Sequence, residues 1–315
     1  MKVELAEKIL YGASLPGALV LNGGNSTVTR VVFDSTWYAV KDYSFRKDGL
    51  KRLQREWWAL DFLSQSLPGL APNPLWQNEI SLSAIHSWIP GSRPALSSQL
   101  VKSMVHILKT LYDLYLELGN GSNVLAAEDS IHEGDTLESQ ILSRLGYLEK
   151  SANPHLKLIV DGVKTNLESL QRRQRPLDLS QPVTLSPSDF GPHNLLFDGE
   201  SKKVHLVDLE FFGVDACSKL VADTLLHPQT EWSRQLITQF VSGSLDVFPI
   251  DIENIWELMP LLCLKWATII AGRLTLENSA SEVKQLNVYD KAMFYVRLSM
   301  APDLSAMLSS IANRQ

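Results

Sequence analysis

The chain has 315 residues, 45% hydrophobic and 20% charged side chains, a formal net charge of -6 and a pI near 5.7. That composition excludes a mainly disordered or fibrous chain, and the length suits two lobes. The acidic balance argues against nucleic acid as the main ligand, since phosphate backbones need a basic surface.

Residues 1–10 carry too many charges for a signal-peptide core, and residues 3–14 read as a short helix ended by Pro16-Gly17. Three short β-branched and aromatic runs follow at 18–21, 27–33 and 36–43, separated by Asn22-Gly23-Gly24-Asn25 and Asp34-Ser35. Those separators are turn chemistry, so the stretch predicts an antiparallel meander. Residues 50–63 return to helical spacing, with Leu53, Trp57, Leu60 and Leu63 on one face. Strands are expected at 75–76 and 80–88, and 90–94 (Pro-Gly-Ser-Arg-Pro) as a connector.

The remainder is mostly helical. Helices are expected at 98–117, 136–151, 154–173 and from about 216 to 310, with a polar loop at 119–135. The apolar stretch 259–271 contains Pro260 and Lys265; it is too short to span a bilayer and reads as a buried helix, so no membrane partner is expected. Cys217 and Cys263 stand far apart without a metal-type spacing, which points to a reducing, cytoplasmic setting. The division expected is a β-rich part over 1–90 and a larger helical part over 91–315. The first holds 9 basic and 8 acidic residues, the second 20 and 27.

The chemistry concentrates in residues 185–210. Leu185-Ser-Pro-Ser-Asp189-Phe-Gly-Pro-His-Asn194-Leu-Leu-Phe197 is followed by a polar turn and Val204-His-Leu-Val-Asp208-Leu-Glu210. Two apolar runs around a Gly-containing turn predict a hairpin. A turn centred on Ser201 sets Asn194 opposite Asp208. One amide and one carboxylate suit Mg²⁺, which takes few protein oxygens and borrows phosphate oxygens from its substrate. A further carboxylate, Asp189, can orient an attacking hydroxyl. Together these residue types fit phosphoryl transfer.

This pattern resembles the aminoglycoside phosphotransferase and choline kinase-like family, which carries H-G-D-x-x-x-x-N and then D-x-[DE]. The resemblance implies an α+β, bilobal protein-kinase-like fold with a small antiparallel-sheet N-lobe and a larger, mainly helical C-lobe. It implies an ATP- and Mg²⁺-dependent phosphotransferase acting on a hydroxyl of a small molecule. Asp189 becomes the catalytic residue, Asn194 and Asp208 the metal ligands, and Glu210 a support for the metal or its loop. Pro187 and Ser188 stand where the family has His and Gly, which concerns the loop's architecture.

Upstream, Tyr38-Ala39-Val40-Lys41 supplies the strand lysine for the phosphates, and Ala39 and Lys41 share a face. Glu56 is the helix partner for that lysine. Gly24, Asn25 and Ser26 lie where the family covers the phosphates with backbone N–H groups. Residues 86–88, with Ser87 and Trp88, lie where it pairs with the adenine edge. Downstream, Asp215 reads as a helix N-cap and Asp223 as structural; Lys265, Trp266 and Arg273 lie on a helix where the family places substrate contacts, with core packing the alternative for Trp266. The rival reading is a catalytically inactive kinase-like module, suggested by Pro187.

Overall fold

A computed structural model describes residues 1–15, 18–22, 27–119, 124–131, 137–173, 181–276, 282–301 and 303–312. Gly24, Asn25 and Ser26 lie outside these residues. Two compact units form: Met1–Ala95 with Pro192–Gly213, and Leu96–Gly191 with Val214–Gln315.

In the first unit α1 (Val3–Ser14) precedes β1 (Leu19–Asn22), β2 (Thr27–Phe33) and β3 (Thr36–Asp42). Then come α2 (Gly49–Ser66), β4 (Pro74–Asn78) and β5 (Ser83–Ser87). The five strands make one antiparallel sheet in the order β1-β2-β3-β5-β4. Phe33 pairs with Thr36 across Asp34 and Ser35, which sit at φ 48° and 60°. Two left-handed residues match the twist of the flanking strands.

Alternation along the strands decides which side chains go where. Val31, Val40 and Ile85 meet Ala6 and Ile9 of α1 on one face. Ala39 and Lys41 take the other face. The chain enters α2 at Gly49, where a Cβ would lie 2.2 Å from the Tyr43 carbonyl oxygen, so only glycine fits without backbone movement. Leu53, Ala59, Leu60 and Leu63 form the buried stripe of α2.

Residues 80–82, expected as the start of a strand, lie in a turn instead. The Asn78 side chain accepts from the Ile80 and Ser81 N–H groups at 2.8 and 3.0 Å, and Leu82 is left-handed. An Asn side chain able to mimic a backbone acceptor outcompetes extension of the ladder.

In the second unit α3 (Ser98–Leu118), α4 (Leu137–Leu148), α5 (Pro154–Arg173) and β6 (Val183–Ser186) come first. Ser97 caps α3 by accepting from the Leu100 N–H. The chain then returns to the first unit for β7 (Leu195–Asp198) and β8 (Lys203–Leu206). It re-enters the second unit through β9 (Gly213–Ala216), which joins β6 in a two-stranded sheet. Among the described residues six helices follow: α6 (Cys217–Leu226), α7 (Arg234–Val247), α8 (Ile252–Ala271), α9 (Arg273–Leu276), α10 (Glu282–Leu298) and α11 (Leu304–Ala312).

α8 is the centre of this unit, packed by α4, α5, α6 and α10. It runs longer than the apolar stretch suggested, and the span Ile252–Thr275 has the length and composition to cross a membrane. Its residues from Leu258 to Lys265 are all buried, so it serves as a core helix of the unit. Both cysteines are free and buried.

The hairpin β7–β8 groups with the sheet unit, whereas a boundary at residue 90 would place it with the helices. The reason is backbone bonding. Ser92 and Phe197 exchange hydrogen bonds at 2.9 and 3.2 Å, and the Leu206 N–H donates to Leu70 at 2.8 Å. The expected connector is thus partly a bridge strand. Gly91 makes that approach possible at φ 143°, where a Cβ would lie 2.5 Å from the Phe197 oxygen.

Candidate active site

The site in the sheet unit is built on β3, α2 and the segment after β8. Lys41 points from β3 toward α2, and only 4% of its surface is exposed. Its ammonium lies 2.6 Å from Glu56 Oε2, 2.7 Å from Asp208 Oδ1 and 3.0 Å from Glu210 Oε1. Burial alone would lower the pKa of Lys41, but the Asp208 and Glu56 carboxylates outweigh it and hold the group well above its ordinary value.

Two of the three carboxylates have further partners. Tyr43, two residues after Lys41 and just past the end of β3, donates its hydroxyl to Glu56 Oε2 at 2.7 Å, and the Leu209 N–H donates to Oε1 at 3.3 Å. Arg52, one turn before Glu56 on α2, holds Glu210 Oε2 at 2.7 Å and rests on the Phe211 ring. Burial would raise Glu210, yet Lys41 and Arg52 keep it ionised below the ordinary carboxylate value. Two cations thus face four carboxylates, Asp48 being 2.7 Å from Arg52 Nε, a net charge of -2. One oxygen from each of Glu56, Asp208 and Glu210 falls within 4.8 Å of the others. The Glu56 and Glu210 side chains are 4% and 0% exposed, while Asp208 is 32% exposed. Asp208 is therefore the most exposed of the three.

The hairpin register differs from the expectation by one residue. Asp198 pairs with Lys203 and Leu195 with Leu206, so Asn194 stands opposite Val207 rather than Asp208. The cause is the turn. Asp198 accepts from the Glu200 N–H and the Ser201 hydroxyl, Lys202 is left-handed, and four residues close the loop. An even-numbered loop shifts the centre to between Glu200 and Ser201. The Val207 N–H donates to the Asn194 carbonyl at 3.0 Å, so the two segments stay bonded up to the residue before Asp208. Asp208 itself is left-handed at φ 62°, which takes it off the ladder's alternation.

His86 shares the Lys41 face, since it pairs with Ala39 across β3 and β5. It is buried against Trp57, and neither ring nitrogen has a hydrogen-bond partner among the described residues. Burial, reinforced by Lys41, lowers its pKa to about 3. The Ser87 N–H donates to Asn73 and the Trp88 N–H to Trp37, so both are already used within the unit. The Trp88 ring flanks the Arg30 guanidinium, which stacks on Trp37 at 4.6 Å.

Asp189 belongs to the helical unit. The chain leaves β6 through Pro187 and turns at Ser188, whose φ is 65°. The Asp189 N–H closes a three-residue turn onto the Pro187 carbonyl at 2.8 Å. A left-handed φ at 188 explains why glycine suits this place. Here serine is held there: its N–H donates to the Ser186 hydroxyl at 3.0 Å and its own hydroxyl to the Glu128 carbonyl at 3.3 Å. The Asp189 carboxylate lies 3.1 Å from His227 Nε2, and His227 directly follows α6.

Asp215 is not an N-cap. Ala216 takes that position, and Asp215 is fully buried, accepting from the Ile131 and Ala216 N–H groups. Lys219 sits 2.6 Å from Asp215 and 3.1 Å from Asp223, which hold its pKa above the ordinary value against burial. Trp266 is more than core packing, since its indole N–H donates to Asp223 at 3.1 Å and its ring meets His227 edge-on.

Sequence reasoning had chosen Lys41, Glu56, Asp208 and Glu210, which the structure brings together. Tyr43, Arg52 and His227 were missed, and His86, expected near the adenine edge, instead lies on the Lys41 face. Spacing could have found the first two: Tyr43 is two from Lys41 on the expected strand and Arg52 four from Glu56 on a helix. No local signal marks His227, which is 38 positions from Asp189.

No family model matches the chain, and no curated protein matches it in sequence. Solved structures do match it in fold. Choline kinase LicA from Streptococcus pneumoniae aligns at TM-score 0.63 and 16% identity, over 93% of this chain and 98% of that one. A Plasmodium vivax ethanolamine kinase gives 0.61 and 16%, over 94% and 87%. The gentamicin complex of the phosphotransferase APH(2″)-IIa gives 0.60 and 15%, over 98% of each chain. Matching structures include complexes with AMP, ADP and ATP. The chain therefore has the α+β fold of these small-molecule kinases.

Proposed function

We propose that this chain is a Mg-ATP-dependent kinase that moves the γ-phosphoryl group to a hydroxyl of a small molecule. The observation that carries the reading is the buried Lys41–Glu56 ion pair, with Asp208 as the exposed third member. The fold shared with choline, ethanolamine and aminoglycoside kinases supports it.

Lys41, held protonated, exchanges its Asp208 contact for phosphate oxygens of the nucleotide. Glu56, fixed by Tyr43 and the Leu209 N–H, keeps the lysine aimed. Asp208 and Asn194 offer the hard oxygen donors that Mg²⁺ prefers, and the cluster's net negative charge suits a divalent cation. Bound Mg²⁺ would neutralise charge on the phosphates. Glu210 is occupied by Arg52 and Lys41, and so supports Asp208 rather than the metal.

Asp189 is assigned the acceptor hydroxyl. It accepts that group's hydrogen bond and takes its proton as the new P–O bond forms and the β,γ-bridging P–O bond breaks.

The test measures Mg-ATP binding by calorimetry and ADP release over a panel of hydroxylated metabolites. Wild type binds and turns over with at least one acceptor. Asp208→Ala loses Mg-ATP binding, while Asp189→Ala keeps binding and loses transfer. Absence of nucleotide binding by wild type, or unchanged binding by Asp208→Ala, refutes the site. Binding without turnover under any condition indicates an inactive module.

A further inference from the structure

We propose that His227 is a positioning residue for Asp189, holding its carboxylate in one orientation from the far side of the α6 terminus. The proposal rests on the kinase reading above. The usual family His two residues before the Asp is Pro187 here, and a proline cannot donate a hydrogen bond. A different imidazole reaches the carboxylate instead.

The geometry assigns each ring nitrogen. The Gln229 N–H donates to His227 Nδ1 at 3.3 Å. That nitrogen must then be unprotonated, which places the hydrogen of a neutral ring on Nε2. Nε2 lies 3.1 Å from Asp189 Oδ1 and donates to it. The ring cannot readily swing away. Trp266 meets it edge-on, with ring centres 5.0 Å apart at 89°. Trp266 is pinned by its bond to Asp223, whose other oxygen is 3.1 Å from Lys219. His227 is 6% exposed, so water competes poorly for its proton.

A three-residue turn with a left-handed centre fixes the backbone before Asp189 but leaves χ1 and χ2 of its side chain to be set by contacts. His227 supplies such a contact within the same unit, so the carboxylate plane is set before an acceptor arrives. Pre-set orientation of this kind accounts for large rate factors, and displacing a reacting group by about 1 Å costs roughly 100-fold. His227 touches no reacting atom and acts through Asp189.

The decisive comparison is His227→Gln with His227→Asn. A Gln amide nitrogen reaches the place of Nε2 and retains the donor, whereas an Asn amide reaches only the place of Nδ1. Both variants are polar and similarly buried, so a folding defect should affect them alike. ADP release from Mg-ATP is followed with water, the simplest hydroxyl, as acceptor, together with Mg-ATP affinity.

Expected is a kcat for His227→Gln within about 10-fold of wild type and a fall of about 100-fold for His227→Asn. Mg-ATP affinity stays unchanged in both. His227→Phe, which keeps the packing on Trp266, should match Asn. Equal kcat values for the Gln and Asn variants overturn the proposal, whether both equal wild type or both fall. Loss of Mg-ATP affinity in His227→Asn also overturns it, because the role would then be structural. Failure of the kinase reading looks different: wild type binds no Mg-ATP or releases no ADP with water or any hydroxylated metabolite, or Asp189→Ala turns over normally.

Discussion

His86 offers a sharp test of how the sheet unit is assembled. It pairs with Ala39 beside Lys41, is buried, and has a pKa lowered to about 3 by burial and by the Lys41 ammonium. In the unfolded chain its pKa returns to about 6.5, so below that value the unfolded state binds a proton that the folded state refuses. The sign follows from linkage. Stability is unaffected well above pH 6.5 and falls as pH drops from 6.5 toward 3. For a folded value of about 3, the loss between pH 7 and pH 5 is about 2 kcal/mol.

The perturbation is His86→Leu, which keeps the volume and removes both unpartnered nitrogens. The assay is urea unfolding of both proteins at pH 7, 6 and 5, with stability from linear extrapolation. Acidic groups titrate in both proteins, so the difference between them isolates His86. The variant should equal or exceed wild-type stability at pH 7, since unsatisfied buried polar atoms cost about 1–3 kcal/mol each. It should pull ahead by a further 2 kcal/mol or so at pH 5. Identical pH slopes would refute the reasoning, because His86 would then be accessible to protons in the fold.

Three other outcomes are expected. Lys219→Met strands Asp215 and Asp223 in a buried site and should cost about 3–5 kcal/mol, seen as a lower Tm by calorimetry; an unchanged Tm excludes a stabilising role for the network. Lys41→Met leaves Glu56, Asp208 and Glu210 without their shared ammonium, so stability drops by a similar amount and Mg-ATP no longer raises the Tm. A retained ligand-induced rise would remove Lys41 from the nucleotide site. Gly91→Ala puts a side chain at φ 143° and against the Phe197 carbonyl, costing of order 3 kcal/mol by urea unfolding. A near-neutral result would mean that the bridge between Ser92 and Phe197 contributes little.

The sequence by itself determined what depends on neighbours along the chain. Alternation placed Ala39 and Lys41 together, helical spacing placed the buried stripe of α2, and the Asp34-Ser35 pair marked its hairpin. The choice of Asn194 and Asp208 also came from spacing, because a hairpin brings its two flanks together whatever surrounds it.

Only the tertiary structure decided the rest. The β7–β8 register turned on whether Asp198 closes a loop of four residues, a hydrogen-bond competition that composition does not settle. Asp215 has the residue type and position of a cap, yet burial beside Lys219 made it a network centre. Asp208 and Ser188 are left-handed although neither is glycine, since surrounding bonds hold them there. His227 reaches Asp189 because α6 and the β6 loop fold together, not because of anything near either residue in sequence. Local patterns record local hydrogen bonding; which charges are buried and which distant side chains meet depends on how the whole unit packs.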